Sequence, residues 1–290
     1  MRKKLYRLAH TNIEIRLPEK ILMPENMKLF EVENIDKADK VIELEVVDNL
    51  VPIVRQFLEE HPDAKQILRK NMCILAALDK ECRIIAIEGA PAPYAVYVEE
   101  NVERTRVCIH REIEGYLNSD TIFGSLLGLE KVMIRRNAMI LHSAYMCREG
   151  KAVLFSAPSE TGKSTQAGLW EKYRGTRQIN GDRSLLVREA DGWYAYGWPI
   201  CGSSEICHNE AHPIQAIVML YQAKENEIKR LDTGSAMRKV MSQITINMWN
   251  GEFQIKVMDL IQQLVEEVPV FELGCNISED AVVCLENVLV

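Results

Sequence analysis

Phe155-Ser156-Ala157-Pro158-Ser159-Glu160-Thr161-Gly162-Lys163-Ser164-Thr165 decides how the rest of the chain is read. Ahead of it, Ala152 to Phe155 make an apolar run of the length of a short buried strand. Behind it, Ala167, Trp170 and Tyr173 recur at helical spacing. Strand, small-residue loop, Gly-Lys-Ser and helix is the layout of a phosphate-binding loop. Its physical basis is a run of backbone N–H groups curled round an anion, with the positive end of a helix behind them. In that layout Ser159, Glu160, Thr161, Gly162, Lys163, Ser164 and Thr165 form the nucleotide cradle. Lys163 reaches the outer phosphates and Ser164 offers its hydroxyl to magnesium. Two positions depart from the pattern. Ala157 stands where it opens with Gly, so the loop must not turn left-handed there. Glu160 brings a carboxylate close to phosphate and must point outward. A polar strand-to-helix turn that merely contains Gly-Lys-Ser is the bland alternative.

Working outward, Ala138 to Met146 reads as a strand that turns through Arg148-Glu-Gly-Lys and runs back antiparallel into Ala152 to Phe155. Ile140, His142 and Ala144 share one face of it, and on sequence alone His142 reads as a satisfied core histidine. On the other side, Gln178-Ile-Asn-Gly-Asp182 is a short strand ending in an acid, where a nucleotide hydrolase places its magnesium-associated carboxylate. Asn-Gly-Asp is equally a good turn. Arg183 reads as a surface residue, with charge stabilisation as the alternative. Trp193 to Trp198 forms a hairpin strand, and Pro199 to His212 a loop. Cys201, Cys207, His208 and His212 bunch soft ligands there, although Cys-x5-Cys lacks the usual zinc-knuckle spacing. Ile214 to Tyr221 is an apolar strand, Ala223 to Arg230 a charged exposed connection, and Val270 to Leu273 a last strand. Ser235 to Trp249 and Glu252 to Glu267 carry helical periodicity, and Ser278 caps a final helix through Leu289.

Residues 1 to 115 read as a β-rich N-terminal lobe and 116 to 290 as the phosphate-loop domain. In the lobe, Asn12 to Leu17, Met27 to Glu33, Val41 to Val47, Cys82 to Ile87, Tyr94 to Val98 and Arg106 to His110 are strands. Leu50 to Glu60 is a helix stopped by Pro62, and Asp120 to Arg135 a single amphipathic helix. His10, His61 and His110 stand apart and read as structural or solvated.

A net charge of -7 opposes general binding to nucleic acid or anionic membranes, so a phosphate site must be a local basic pocket. Met1-Arg-Lys-Lys-Leu-Tyr is basic without the apolar run of a signal peptide, and no stretch has the length of a membrane span. Eight cysteines without a Cys-x-x-Cys suit a reducing compartment, so the expected location is the cytoplasm. Self-association into a homo-oligomer stays open.

Leu141-His-Ser-Ala144, Ser156 to Thr165, Asn180-Gly-Asp-Arg183, Cys201-Gly-Ser-Ser-Glu-Ile206 and Pro213-Ile-Gln-Ala-Ile-Val218 follow in that order. Over residues 136 to 235 the chain resembles the kinase domain of the HPr kinase/phosphorylase family, which shares its fold with phosphoenolpyruvate carboxykinase. The resemblance implies an α/β core with a mixed sheet and ATP- and Mg2+-dependent phosphorylation of a serine in a protein or peptide. It gives Lys163 and Ser164 the nucleotide and metal roles and makes Asp182 both a metal neighbour and the activator of the acceptor hydroxyl. It also moves His142 from the core to the transferred phosphate. The family commonly has two adjacent acids where this chain has Gly181-Asp182, and glycines where it has Ala157 and Glu160. Its phosphorylase-associated signature is not found between Trp198 and Pro213, so the reverse activity is not expected. A nucleotide-binding regulatory module without transfer and a small-molecule kinase remain alternatives. The missing Asn-Lys-x-Asp motif opposes a GTPase.

Overall fold

Alternation in Thr11–Leu17 sends Ile13, Ile15 and Leu17 to a buried face, and the strand they make belongs to the first of two mixed sheets. The computed structural model describes residues 1–87 and 92–289. The chain divides into two compact units, Met1–Val132 and Met133–Val290.

The first unit holds β1 (Arg2–Leu8), β2 (Thr11–Leu17), β3 (Lys40–Val47), α1 (Val51–Glu60), β4 (Lys65–Arg69), β5 (Met72–Ala76), β6 (Glu81–Ile85), β7 (Ala95–Asn101), β8 (Arg104–His110) and α2 (Asp120–Leu127). The division falls inside α3 (Leu129–Arg135). Strand order is β1-β2-β3-β8-β7-β6-β5-β4. The two parallel neighbours, β2–β3 and β3–β8, are the non-local joins of an otherwise hairpin-built sheet. Three expectations change here. Glu25–Phe30 is a 3₁₀ turn and not a strand, because Met27 and Phe30, three apart, are the residues that go inside. The helix read over 120–135 breaks at Gly128, whose left-handed backbone ends α2. The compact units also part at 132/133 and not at 115/116, because α2 packs on β7.

The second unit holds β9 (Ala138–Arg148), β10 (Lys151–Ser156), α4 (Lys163–Arg174), β11 (Arg177–Asn180), β12 (Arg183–Glu189), β13 (Gly192–Tyr196), β14 (Ala211–Gln222), β15 (Glu227–Arg230), α5 (Thr233–Met241), α6 (Gly251–Glu267), β16 (Val270–Cys275) and α7 (Glu279–Glu286). Strand β9 is the hub. One edge pairs antiparallel with β10, and the other pairs first with β12 and then with β11. Strand β14 pairs with β13 at its start and then lies parallel to both β10 and β16. The period of two in β10 separates two cores. Ala152 and Leu154 face Val240, Val257 and Leu264 of α5 and α6. Val153 and Phe155 face Ala167 and Trp170 of α4 and Val282 and Leu285 of α7.

Three boundaries differ from expectation. The helix read over 235–249 stops at Met241, and Ile244 beyond it bridges to Leu141 of β9, so its apolar side chain serves a sheet contact. The connection 223–230 contains β15, paired with β16 and tied to it by Lys229 on Glu272, 2.7 Å. The final helix ends at Glu286, and Ser278 stands at its N-cap without a side-chain capping bond. Its hydroxyl donates to Asn276 Oδ1 at 2.5 Å instead. Among the described residues no helix is long and apolar enough to cross a membrane.

Candidate functional site

The register of β9 brings the site together. His142 and Ser143 stand at the level where β10 ends, with Ser143 opposite Ser156. Ser156 Oγ donates to the His142 carbonyl at 2.8 Å. On the other edge of β9 the ladder is interrupted between Asn180↔Tyr145 of β11 and Arg183↔His142 of β12. Gly181 and Asp182 fill that interruption, so the loop after β10 and the acid flank one strand at one level. The main chain there stays tied, since Ser143 N–H donates to the Asp182 carbonyl at 3.0 Å.

The loop between β10 and α4 combines a buried entry with two left-handed residues. Ala157 is buried and keeps out of the left-handed region, which removes the objection to its methyl group. Glu160 is left-handed at φ 65° yet exposed, its carbonyl accepting from Gln222 Nε2 at 3.4 Å. A non-Gly residue in that conformation carries strain, a feature concentrated at ligand sites. Gly162, at φ 113°, is the N-cap of α4 and leaves its first turn without a side-chain capping bond. The first N–H groups of any helix lack intrahelical acceptors. In α5 and α6 the side chains of Asp232 and Asn250 cap them. In α4, as in α1, α2 and α7, no N-cap side chain does so. Ser159 is exposed, as are Ser164 and Thr165 at the mouth of the helix; Thr161 is half-buried, its N–H 3.4 Å from the Pro158 carbonyl.

Lys163 is buried and its ammonium donates to the carbonyls of Ala157 (3.2 Å) and Pro158 (3.4 Å). Burial pushes its pKa below the ordinary lysine value; Asp182 opposes that shift and Arg183 adds to it. Ser164 Oγ lies 3.4 Å from the Gly181 carbonyl, beside the acid.

Asp182 is held from both sides. His142 Nε2 is 3.3 Å from Oδ1, and Arg183 Nε is 3.2 Å from Oδ2. Burial acts to raise this carboxyl's pKa, but the His142 hydrogen bond and the Arg183 charge outweigh it. With the charges of His142 and Lys163 added, they keep Asp182 below the ordinary carboxylate range. The acid is therefore ionised and half-buried, 27% exposed at its side chain. Every residue named from the sequence for transfer or metal binding thus lies around one end of β9: Asp182, His142, Lys163 and Ser164.

Sequence reasoning missed what positions the acid. Asn180 is fully buried and its Oδ1 accepts from the N–H groups of both Asp182 and Arg183, each at 2.9 Å. Its Nδ2 donates to Trp198 O at 2.6 Å. The Asx turn in Asn-Gly-Asp was the available signal. Arg183, 34% exposed at its side chain, also reaches Thr245 Oγ1 at 3.2 Å. Gly181, where the resemblance has a second acid, is required by packing, since any Cβ there would collide with Ser204 Oγ and Cβ. Of the soft ligands between 201 and 212, Cys207 bonds to the Trp198 carbonyl, and His212, which belongs to β14 and not to the expected loop, bonds through Nδ1 to Tyr145 Oη, 2.6 Å.

A magnesium ion fits this donor set. Among the described residues no three His, Cys, Asp or Glu side chains gather around a metal site. A dedicated protein cage is therefore lacking. Magnesium does not need one, since it binds through one or two protein oxygens and completes its shell with phosphates and water. Ser164 Oγ and the Asp182 carboxylate are the oxygens that would hold it.

No curated protein matches the chain. Among solved structures, the Hpr(Ser) kinase/phosphatase from Coxiella burnetii is similar over 51% of this chain and 86% of its own, at 10% identity and a TM-score of 0.31. The family model of the SynChlorMet cassette protein ScmC matches residues 118–289, more than half of the chain, and the chain belongs to that family.

Proposed function

We propose that the second unit is an ATP- and magnesium-dependent kinase that transfers a γ-phosphoryl group to a serine hydroxyl of a small protein or peptide. The observation that carries the reading is that the start of α4 meets the His142–Asp182 pair: Ser164 Oγ lies 3.4 Å from the Gly181 carbonyl, and the charges of Lys163 and Asp182 act on each other. Phosphoryl transfer needs little covalent chemistry from a protein; alignment and charge neutralisation supply most of the rate. The loop amides and Lys163 hold the triphosphate. Magnesium, held by Ser164 and Asp182, would spread the charge that develops on the phosphates. Asp182 takes the proton of the acceptor hydroxyl while the new O–P bond forms and the bond from the γ-phosphorus to the β,γ-bridging oxygen breaks, with ADP leaving. His142 orients the carboxylate through Oδ1, and Arg183 holds Oδ2.

A regulatory module that binds nucleotide without transfer is the second reading. It is favoured by the engagement of both Asp182 oxygens by cations or a hydrogen-bond donor. The third, a small-molecule kinase, shares the same phosphate site and differs only in its acceptor. Magnesium-ATP should raise the melting temperature, and Lys163→Ala should remove that shift. With candidate acceptors, Asp182→Asn should keep the nucleotide shift and lose transfer by roughly 10²–10⁴-fold. A Lys163→Ala protein stabilised as much as wild type overturns the phosphate site; undiminished transfer by Asp182→Asn overturns the base.

A further inference from the structure

Strands β10, β14 and β16 run parallel, and their carboxyl ends all open on the same side. Ligands of open α/β sheets lie outside such ends. Here the three outgoing connections, Glu160–Gly162, Gln222–Ala223 and Asn276–Ile277, meet around a cleft of about 380 Å³. It shares the loop with the phosphate cradle and is closed on the helix side by Thr165 and Gln166 of α4. Its volume falls at the small end of the ligand-pocket range.

The chemistry of the cleft differs from that of the cradle beside it. Among its lining residues Glu160 alone carries a formal charge, and that charge is negative. A second polyphosphate is thereby disfavoured, whereas an uncharged group joined to the first is not. Ile277 is 78% exposed, an apolar surface with little cover, and Cys275 and Ala223 continue it. Gln166 is 3% exposed; its Nε2 donates to the Asn276 carbonyl at 3.0 Å, while its Oε1 is buried without a hydrogen-bond partner. The wall that carries it is fixed in place. Asn276 N–H donates to Asn226 Oδ1 at 2.9 Å, and Asn276 Nδ2 to the Lys224 carbonyl at 2.9 Å.

We infer that this cleft is the nucleoside subsite: the ribose and base of a nucleoside triphosphate lie against Ile277 and Ala223, with Gln166 and Asn276 forming the fixed polar wall beside them. The inference rests on the phosphate-loop reading and adds to it the side on which the nucleotide leaves the loop. Titration calorimetry with magnesium and either ATP or inorganic tripolyphosphate tests it. ATP is expected to bind at least about tenfold tighter than tripolyphosphate, a factor worth about 1.4 kcal/mol. Ile277→Glu, at an exposed position, should erase that difference and leave tripolyphosphate binding unchanged. Equal affinity of wild type for the two ligands, or an Ile277→Glu protein that keeps the preference for ATP, overturns the subsite while leaving the phosphate loop standing. Binding of neither ligand overturns the loop reading and the subsite with it.

Discussion

Each unit contains a knot of opposite charges, and the two are built to different ends. In the first unit Arg83 pairs with Glu81 and with Glu130 (2.5 Å), and Lys131 pairs with Glu99 (2.5 Å) and Glu81 (3.5 Å). The arginine and both strand glutamates are 4% exposed or less at their side chains, so the knot ties β6 and β7 to α3 in a dry interior. In the second unit Asp182, His142 and Arg183 are 21–34% exposed at their side chains and sit beside uncapped helix amides. Both have ion pairs of short length, so pairing alone does not mark a site. The difference lies in what is left over. The first knot is shut off from solvent, so that even the unpartnered oxygen Glu99 Oε1 is buried, whereas the second keeps a face toward solvent where a further anion can enter.

Breaking one partner should therefore cost most in the first knot. Arg83→Met leaves buried carboxylates without their cation and should destabilise the unit by about 3–5 kcal/mol, read by denaturant unfolding. A loss below about 1 kcal/mol, the scale of exposed pairs, would erase the contrast. Next in size comes the packing that shapes the second knot. Gly181→Ala should cost roughly 1–3 kcal/mol through its collision with Ser204, and adding Ser204→Gly should recover most of it. Additive losses in the double variant would show that Gly181 is held by something other than that side chain.

This glycine also shows where sequence reading stops. Strand, loop and helix around Lys163 were legible because each signal is local: an apolar run, turn residues, a period of 3.6. The meeting of His142 with Asp182 was half legible. His142 could be placed on the strand leading to the loop, but its pairing with Arg183 across β12 is a register between segments far apart in sequence. Gly181 looked like the loss of an acid and is the space for a side chain from residue 204, a contact no local pattern announces. The 3₁₀ turn at Glu25–Phe30 was misread for a related reason, since a run of apolar and charged residues fits period two or three until the core chooses.

Titration of the second knot sharpens the contrast further. Asp182 has its folded pKa below the ordinary carboxylate value, so its contribution to stability is present above that value and is lost as pH falls through the folded pKa. The melting-temperature gap between wild type and Asp182→Asn should therefore be widest near neutral pH and shrink steadily into acid. A gap that stays constant down to pH 3 would mean that Asp182 is not held ionised by its neighbours.

The smallest effect has the opposite sign. Lys163 is a buried cation whose pKa is pushed down, chiefly by burial, so at neutral pH its charged form weighs against the fold. In the absence of nucleotide, Lys163→Met should therefore stabilise the protein by roughly 0.5–1 kcal/mol, as substitutions at strained functional positions often do. Its advantage should fade as pH climbs toward the ordinary lysine value, where the wild-type side chain sheds its proton. If the variant is less stable at neutral pH, the hydrogen bonds to the Ala157 and Pro158 carbonyls outweigh desolvation. Lys163 would then be a structural tie of the same kind as Arg83, and the distinction between a knot that holds and a knot that waits for an anion would fail at its central residue.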